Sequence, residues 1–389
     1  MSHLVHGMGT ESVAPDWPPL TLTEVDAVLR RYPQAAGARA LTWRSPRPLS
    51  AAGLVETARG GSVFVKRHHR RVRSLDGLHE EHAFLAHLRR GGAAVVDVMT
   101  DDEGGTAVAV GEWTYEVHSV GDGEDLYREA ISWSPFTQPS HAHAAGRALA
   151  ELHEAARGYA APPRAPRQLT AGFAIFAGDD PIAAVDQYAA VRPALAEDLS
   201  ARSWREDVER WHLPHHERLR SQLAALDPLW THNDFHASNL LWRSTPASTV
   251  SGSTVRVSTV HVSTVLDFGL CDRAFAVHDL ATAIERNAVE WIALDAKGEG
   301  AVHPDAALAL VDGYQEIRKL TESERAALPD LLALCHADYA LSEIDYFRDV
   351  TGSAQNAELA YRYFVDHTAW FAGPAGARFL DRLRAALGD

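Results

Sequence analysis

Near residue 118 the chain changes its hydrophobic period, and that change limits the fold more than any other feature. Before it, "ARALTW" (38–43), "GLVETA" (53–58) and "SVFVKRH" (62–68) are short and β-rich. The "RGG" at 59–61 supplies a tight turn between the last two, so they read as an antiparallel hairpin. "AAVVDVMT" (93–100) and "TAVAVGEWTYEVHSV" (106–120) read as two further strands around the acidic turn "DDEGG". One long helix interrupts them: "SLDGLHEEHAFLAHLRR" (74–90) places Leu78, Phe84, Leu85 and Leu88 near helical spacing, and Gly91-Gly92 stops it. "TLTEVDAVLRRYP" (21–33) reads as a shorter helix with Thr23 as its N-cap. After residue 118 the texture is helical, as in "SHAHAAGRALAELHEAARG" (140–158) and in the helix opened by Asp180 and Pro181. The expectation is an α+β chain in two parts: residues 1–117, a small antiparallel β lobe with one long helix, and residues 118–389, a larger and mainly helical lobe. The low-complexity stretch 243–264, in which "STV" recurs, reads as a long exposed hairpin without chemistry.

Composition narrows the partners. A formal net charge of -15 argues against nucleic acid or an anionic membrane as the main partner, because both demand basic surface. No run of eighteen apolar residues occurs, and the N-terminus lacks a basic segment followed by an apolar one, so a cytoplasmic location is expected. Cys271 and Cys335 form no CxxC pair and read as buried thiols. Most of the 21 histidines, including the pairs 68–69 and 215–216 and the helical pair His79 and His82, read as surface or cap residues. Of the 37 basic residues only Lys66, Lys297 and Lys319 are lysine, so a lysine kept at a strand end carries information. Asparagine is as scarce: it occurs at 233, 239, 287 and 356, and the first two fall within "THNDFHASNLLW" (231–242).

Moving the γ-phosphoryl group of a nucleotide requires a cation on the phosphates, hard oxygen ligands for Mg²⁺, and a group that orients the attacking hydroxyl. The sequence offers these in order. Lys66 ends an apolar strand, and Glu81 lies on the following helix, where an ion pair would hold the ammonium against the α- and β-phosphates. In "HNDFHASN", Asp234 would accept the hydroxyl proton and Asn239 would bind Mg²⁺; in "VLDFGL", Asp267 would be the main metal carboxylate. The rival reading takes His232, Asp234 and His236 as ligands of a hydrolytic zinc or di-metal nest, but no HExxH or CxxC adds to it.

These residues resemble the aminoglycoside phosphotransferase and choline kinase family of small-molecule kinases. The likeness rests on "SVFVK" with "EEHAFLAHL", "GRALAELHEA", "THNDFHASNLLW" and "VLDFGLCDRAFAVHDLATAIE", about residues 40–290. It implies a protein-kinase-like two-lobed fold and a free hydroxyl on a small molecule as acceptor: an antibiotic, an amino sugar or a nucleoside-like metabolite. By the same resemblance Asp234 is the catalytic base, Asn239 and Asp267 are the metal ligands, Lys66 holds phosphate, and Asp279 is a buried structural carboxylate. The chain departs from the pattern at Asn233, where the family's usual "HGD" has glycine, and in its "DFG". No GxGxxG precedes Lys66, so "SPRPLSAAG" (45–53) is the expected nucleotide loop, with Ser50 as a phosphate donor. The main chain from His118 to Val120 is the expected adenine hinge, which leaves ATP and GTP unseparated. Glu285 is placed toward the acceptor by resemblance. Asp338, Asp345 and Asp349 fall within about 40° on one helical face, a stripe suited to substrate ammonium groups or to solvent. The alternatives are a protein Ser/Thr kinase, for which no APE segment follows the DFG, and a nucleotide-binding pseudokinase used as an interaction module.

Overall fold

The computed structural model describes residues 4–9, 11–245, 248–249, 256–257 and 259–388. The chain divides into two compact units. One comprises Met1–Asp122 with Arg164–Arg167 and Thr264–Leu266; the other comprises Gly123–Pro163, Gln168–Ser263 and Asp267–Asp389.

The first unit is built on a five-stranded antiparallel sheet of β1 (Ala38–Arg44), β2 (Ala51–Thr57), β3 (Ser62–His69), β4 (Ala107–Val110) and β5 (Trp113–Ser119), in the order β1-β2-β3-β5-β4. The β2–β3 turn uses Gly60 and Gly61 at φ 88° and 76°, conformations that glycine adopts without strain. Because side chains alternate across a strand, Val63 and Val65 of β3 share one face with Tyr115 and Val117 of β5. That face packs against Val25, Val28, Leu29 and Tyr32, each contact burying apolar area worth roughly 1.5–3 kcal/mol per side chain. These four residues come from α1 (Leu22–Leu29) and the turn after it. The helix opens with a reciprocal cap: Thr21 Oγ1 accepts the Glu24 N–H, and the Glu24 side chain accepts from the Thr21 N–H. Thr21 is therefore the N-cap rather than Thr23, which lies inside the first turn. The longer α2 (Leu75–Arg90) starts at Ser74, as expected, and buries Leu78, Glu81, His82, Phe84, Leu85 and Leu88.

Two expectations for this unit change. "AAVVDVMT" forms no ladder strand; it makes only the single bridges Val95–Val265 and Val98–His118. The run 106–120 is two strands, because Gly111 at φ 59° turns the chain back between β4 and β5. β5 then pairs with β3 as far as Ser119, and the compact unit runs on to Asp122.

The second unit is mainly helical. Its longest early helix, α3 (Pro139–Ala156), crosses the helix Pro304–Ile317 closely enough that a Cβ on Gly146 would collide with Leu310 O, and one on Gly313 with His143 O. Two short strands, β6 (Pro228–Thr231) and β7 (Asp272–Phe275), pair antiparallel, with Thr231 opposite Asp272. β7 runs straight into α4 (Ala276–Ala288), every residue of which is buried. α5 (Ala337–Tyr346) is also buried along its length, and α6 (Ala354–Ala372) follows it. The expected hairpin begins where Thr245 N–H donates to Thr259 O, and Ser248–Thr249 pairs with Arg256–Val257. Its residues 246, 247, 250–255 and 258 lie outside the described residues. No helix among the described residues is long and apolar enough to cross a membrane.

Candidate active site

Between β6 and β7 the chain carries both the "HNDFHASN" loop and the "DFG" turn, and a buried carboxylate fixes the first of them. Asp279, in the first turn of α4, accepts the N–H groups of His232 (2.8 Å, Oδ2) and Asn233 (2.8 Å, Oδ1). His153 on α3 adds its Nε2 to Oδ2 at 3.0 Å and holds the Tyr314 hydroxyl at Nδ1, 2.7 Å away. Burial pushes the Asp279 carboxyl up, but the hydrogen bond and charge of His153, with the amide of His232, outweigh it and hold the pKa below the usual carboxylate value. The structural role expected for Asp279 is thus visible in its partners.

Asn233 stands at φ 59°, in the left-handed region that asparagine tolerates better than most residues. Its side chain does not crowd Asp234. Oδ1 accepts from Thr231 Oγ1 at 2.7 Å, and Nδ2 donates to Ala171 O and Leu270 O, tying the loop to the turn that follows Asp267. Asn287 of α4 brackets the other end: Oδ1 accepts the Ala237 N–H at 3.0 Å and Nδ2 donates to Phe235 O at 3.0 Å. Three of the chain's four asparagines therefore belong to this loop assembly, counting Asn239, so scarcity was a signal that also pointed to Asn287.

Within the loop, Asn239 Nδ2 donates to Asp234 O (2.9 Å) and reaches Asp234 Oδ2 (3.4 Å), which leaves the Asn239 amide oxygen as the atom able to meet a cation. Asp267 is exposed, at φ 57°, and one of its oxygens takes the Gly269 N–H at 3.4 Å. An amide oxygen and an exposed carboxylate are a hard donor set of the kind Mg²⁺ takes. The zinc-nest reading fails. His232 is fully buried, its Nδ1 accepts the Asp234 N–H at 3.1 Å, and its ring packs on Phe235 and Phe268. Among the described residues, His232, Asp234 and His236 do not form a group close enough to share an ion.

The sequence reading missed Arg286. It is 1% exposed, its NH1 forms an ion pair with Asp234 Oδ1, and its guanidinium lies over the rings of Trp133 (4.7 Å) and Tyr339 (5.4 Å). His236 Nε2 lies 3.6 Å from the same oxygen. The adjacent Glu285 accepts from His367 Nδ1 at 2.8 Å, while its second oxygen has no hydrogen-bond partner among the described residues. Burial pushes its pKa up to about 8, and it does the same to Glu343 on α5. The acidic stripe is not a solvated face. Asp338 is buried and spends both oxygens on the N–H groups of Ala174 (2.6 Å) and Ile175 (3.2 Å), and Asp345 faces Arg192 at 3.9 Å. Only Asp349 is exposed, accepting from Gln168 Nε2 at 2.6 Å.

In the first unit, Lys66 of β3 stands half-buried, directly opposite Glu116 of β5. Glu81 is buried on α2, where Arg164 NH1 approaches it at 3.7 Å; the same guanidinium donates to Gly77 O at 2.6 Å. Nothing periodic in "APPRAP" marks Arg164. Ser50, just ahead of β2, lines a cavity with Trp17, Leu20, Arg44 and Arg47. In the expected hinge, the His118 side chain turns onto Glu116 (2.9 Å), the Ser119 N–H donates to Asp97 O (2.8 Å) and Val120 is exposed. Several histidines expected at the surface are buried on acceptors instead: His68 and His82 on Glu116, His215 on Asp330, and His216 on Gly178 O. Both cysteines are buried thiols that form no disulfide with each other, as expected.

The phosphotransferase enzyme family (APH) matches residues 49–310 of the chain. Among solved structures the chain is similar to the aminoglycoside phosphotransferase from Alicyclobacillus acidocaldarius, with 18% identity over 96% of this chain and 98% of that one and a TM-score of 0.51. It is similar also to a putative fructosamine-3-kinase from Thermobifida fusca (18% identity, 92% and 100%, TM-score 0.53). A third similar structure is amicoumacin kinase hAmiN in complex with AMP-PNP, Ca²⁺ and Ami (15%, 92% and 91%, TM-score 0.52). No curated protein matches the chain in sequence. At these identities the structural likeness speaks for the fold, a kinase-like α+β arrangement with an antiparallel sheet and a mainly helical part. The family match spans well over half of the chain and contains the Lys66 strand, the Asp234 loop and the Asp267 turn, and the chain belongs to the phosphotransferase enzyme family.

Proposed function

We propose that this phosphotransferase moves the γ-phosphoryl group of ATP or GTP to a hydroxyl of a small molecule, with Mg²⁺ as its metal. The observation that carries the reading is the Asp234–Asn239 pair, held in a loop whose amides are fixed by Asp279 and Asn287. In this reading Asp234 takes the proton of the acceptor hydroxyl as its oxygen bonds to the γ-phosphorus. The bond from that phosphorus to the bridging oxygen breaks, and the nucleoside diphosphate leaves with the bonding pair. Asn239 and Asp267 would hold Mg²⁺, which when bound neutralises charge on the phosphates. Lys66, with Glu81, would steady the α- and β-phosphates, Ser50 would donate to a phosphate, and the main chain from His118 to Val120 would receive the base. The fold relative solved with AMP-PNP supports a nucleoside triphosphate donor.

Arg286 gives Asp234 a fixed counter-charge and keeps its carboxylate from wandering. The polar groups around Arg286 suit a polar acceptor. Glu285, Glu343 and Tyr363 are buried, and each has an oxygen without a hydrogen-bond partner among the described residues. Glu285 and Glu343 would accept from hydroxyl or amino substituents, as an amino sugar or a polyhydroxylated antibiotic offers; Asp338 and Asp345 would support the pocket rather than bind. The test is to incubate the full chain with Mg²⁺ and γ-labelled ATP or GTP against a panel of hydroxylated small molecules. Label on an acceptor is expected. Tight Mg-nucleotide binding with no labelled acceptor from either nucleotide would favour the pseudokinase reading.

A further inference from the structure

Glu116 has a set of neighbours that phosphate chemistry does not call for. It is 1% exposed, and three imidazoles present Nε2 to its carboxylate: His68 to Oε1 at 2.9 Å, His82 to Oε2 at 2.8 Å, and His118 to Oε2 at 2.9 Å. The four side chains come from three elements: β3 (His68), α2 (His82) and β5 (Glu116 and His118). The sheet register brings them to one face. Lys66 is opposite Glu116, Phe64 opposite His118 and His68 opposite Thr114, so residues 64, 66 and 68 share a face with 114, 116 and 118.

Three features set this group apart from an ordinary buried histidine with one acceptor. The ligand atoms of His82, His118 and Glu116 all lie within 4.8 Å of one another. The His82 and His118 rings meet at 77°, so their Nε2 atoms converge on one oxygen from different directions. His82 Nδ1 is buried with no hydrogen-bond partner among the described residues, so its ring is oriented by Nε2 alone. Two imidazoles and one carboxylate within that reach are the protein ligands of a zinc-class site with one open position, and His68 holds the second carboxylate oxygen. Zinc takes nitrogen and carboxylate oxygen at about 2.0–2.2 Å, which places neighbouring ligands of a tetrahedron somewhat above 3 Å apart. The present separations are a few tenths of an ångström shorter, and an outward shift of each ring accommodates the ion.

We propose that His82, Glu116 and His118 form a binding site for one divalent transition metal of the zinc class, in which the ion clamps α2 to the sheet and His68 orients the carboxylate through its other oxygen. The clamp acts next to Glu81, the neighbour of His82, so it fixes the helix that carries this carboxylate. The site uses none of the harder donors Asn239 and Asp267, but it shares a sheet face with Lys66 and takes the side chain of His118, whose main chain belongs to the expected hinge. Among the described residues, the other group within reach of an ion is Glu285, His336 and His367. It lacks the third imidazole that holds the carboxylate of the Glu116 group.

The test uses the untagged full chain, stripped with chelator, exposed to ZnCl₂ and passed through gel filtration before metal analysis. One zinc per chain is expected, with binding weakened at least roughly 100-fold in His82→Ala, since losing even an outer partner of a ligand costs 10–100-fold. His336→Ala and Asp267→Asn should retain it. Because a variant that fails to fold also loses metal, the wild-type protein carries a second measurement: CoCl₂ should give the intense visible absorption of a four-coordinate nitrogen and oxygen site, and ZnCl₂ should raise the melting temperature. No retained zinc and no cobalt spectrum in the wild type would overturn the proposal. So would zinc lost in His336→Ala and kept in His82→Ala.

Discussion

Replacing Asp279 by asparagine removes the acceptor that holds the catalytic loop, and the structure fixes the size of the loss. The carboxylate is fully buried and accepts three hydrogen bonds, from the amides of His232 and Asn233 and from His153. An amide side chain offers one oxygen and one NH₂ group in the same place. Whichever way it turns, one backbone N–H then faces another donor, at a cost of about 1–3 kcal/mol for the unsatisfied group. The two remaining bonds lose their charge assistance, about 1 kcal/mol each. The sum, roughly 3–5 kcal/mol, matches the loss expected on breaking a buried charged pair from one side. Urea unfolding followed by tryptophan fluorescence should show it as a lower midpoint with unchanged slope, Trp230 being buried beside the loop. Since the pKa of Asp279 lies below its ordinary value, its stabilisation is present above that ordinary value and is lost as pH falls through the folded-state value. The gap between wild type and variant should therefore narrow in strong acid. A loss under about 1 kcal/mol, or a gap that widens on acidification, would refute the reasoning.

Three further outcomes follow from individual side chains. Lys66→Arg should lose most nucleotide turnover, because a guanidinium is broader than the ammonium a phosphate-holding strand position takes; full turnover would end the argument from lysine scarcity. Asp267→Asn should abolish turnover at ordinary Mg²⁺ with its melting temperature intact, and survival of activity would show that the metal has another carboxylate. Glu285, with a pKa of about 8 against an ordinary 4.5, keeps its proton in the fold while the unfolded chain loses it, so it lowers stability as pH rises from about 4.5 to 8. That span corresponds to at most roughly 5 kcal/mol. Glu285→Gln should gain melting temperature relative to wild type between pH 5 and pH 8, and parallel pH profiles would contradict the assignment.

What the sequence disclosed was local. Turn glycines, strand alternation and helical spacing gave the hairpin, α2 and the change of texture, and the spacing of Asp234, Asn239 and Asp267 gave the family. What it hid depends on contacts far apart in the chain. Arg164 reaches Gly77 and Arg286 reaches Asp234 with no periodic trace, and His153 meets Asp279 across more than a hundred residues. Histidine misled because its ring is as stable on a buried acceptor as on the surface, and only the register of β3 against β5 brings His68 and His118 to Glu116. Asn233 stands where the family's usual pattern has glycine; its left-handed backbone and its bonds to Thr231 and Leu270 make it a brace. Of the acidic stripe, Asp338 and Asp345 lie on α5, which is buried along its length, while Asp349 lies beyond that helix and is exposed, a matter of packing that helical period does not reveal.

The central claim is that Asp234 serves the acceptor hydroxyl rather than the nucleotide or a hydrolytic metal. It is tested most directly by measuring kcat and nucleotide affinity in parallel for Asp234→Asn and His236→Ala, with an acceptor found in the labelling screen. Asp234→Asn should lower kcat by orders of magnitude with nucleotide affinity nearly unchanged, and His236→Ala should be far milder. Equal kinetic damage in the two variants, accompanied by loss of a bound metal, would contradict it.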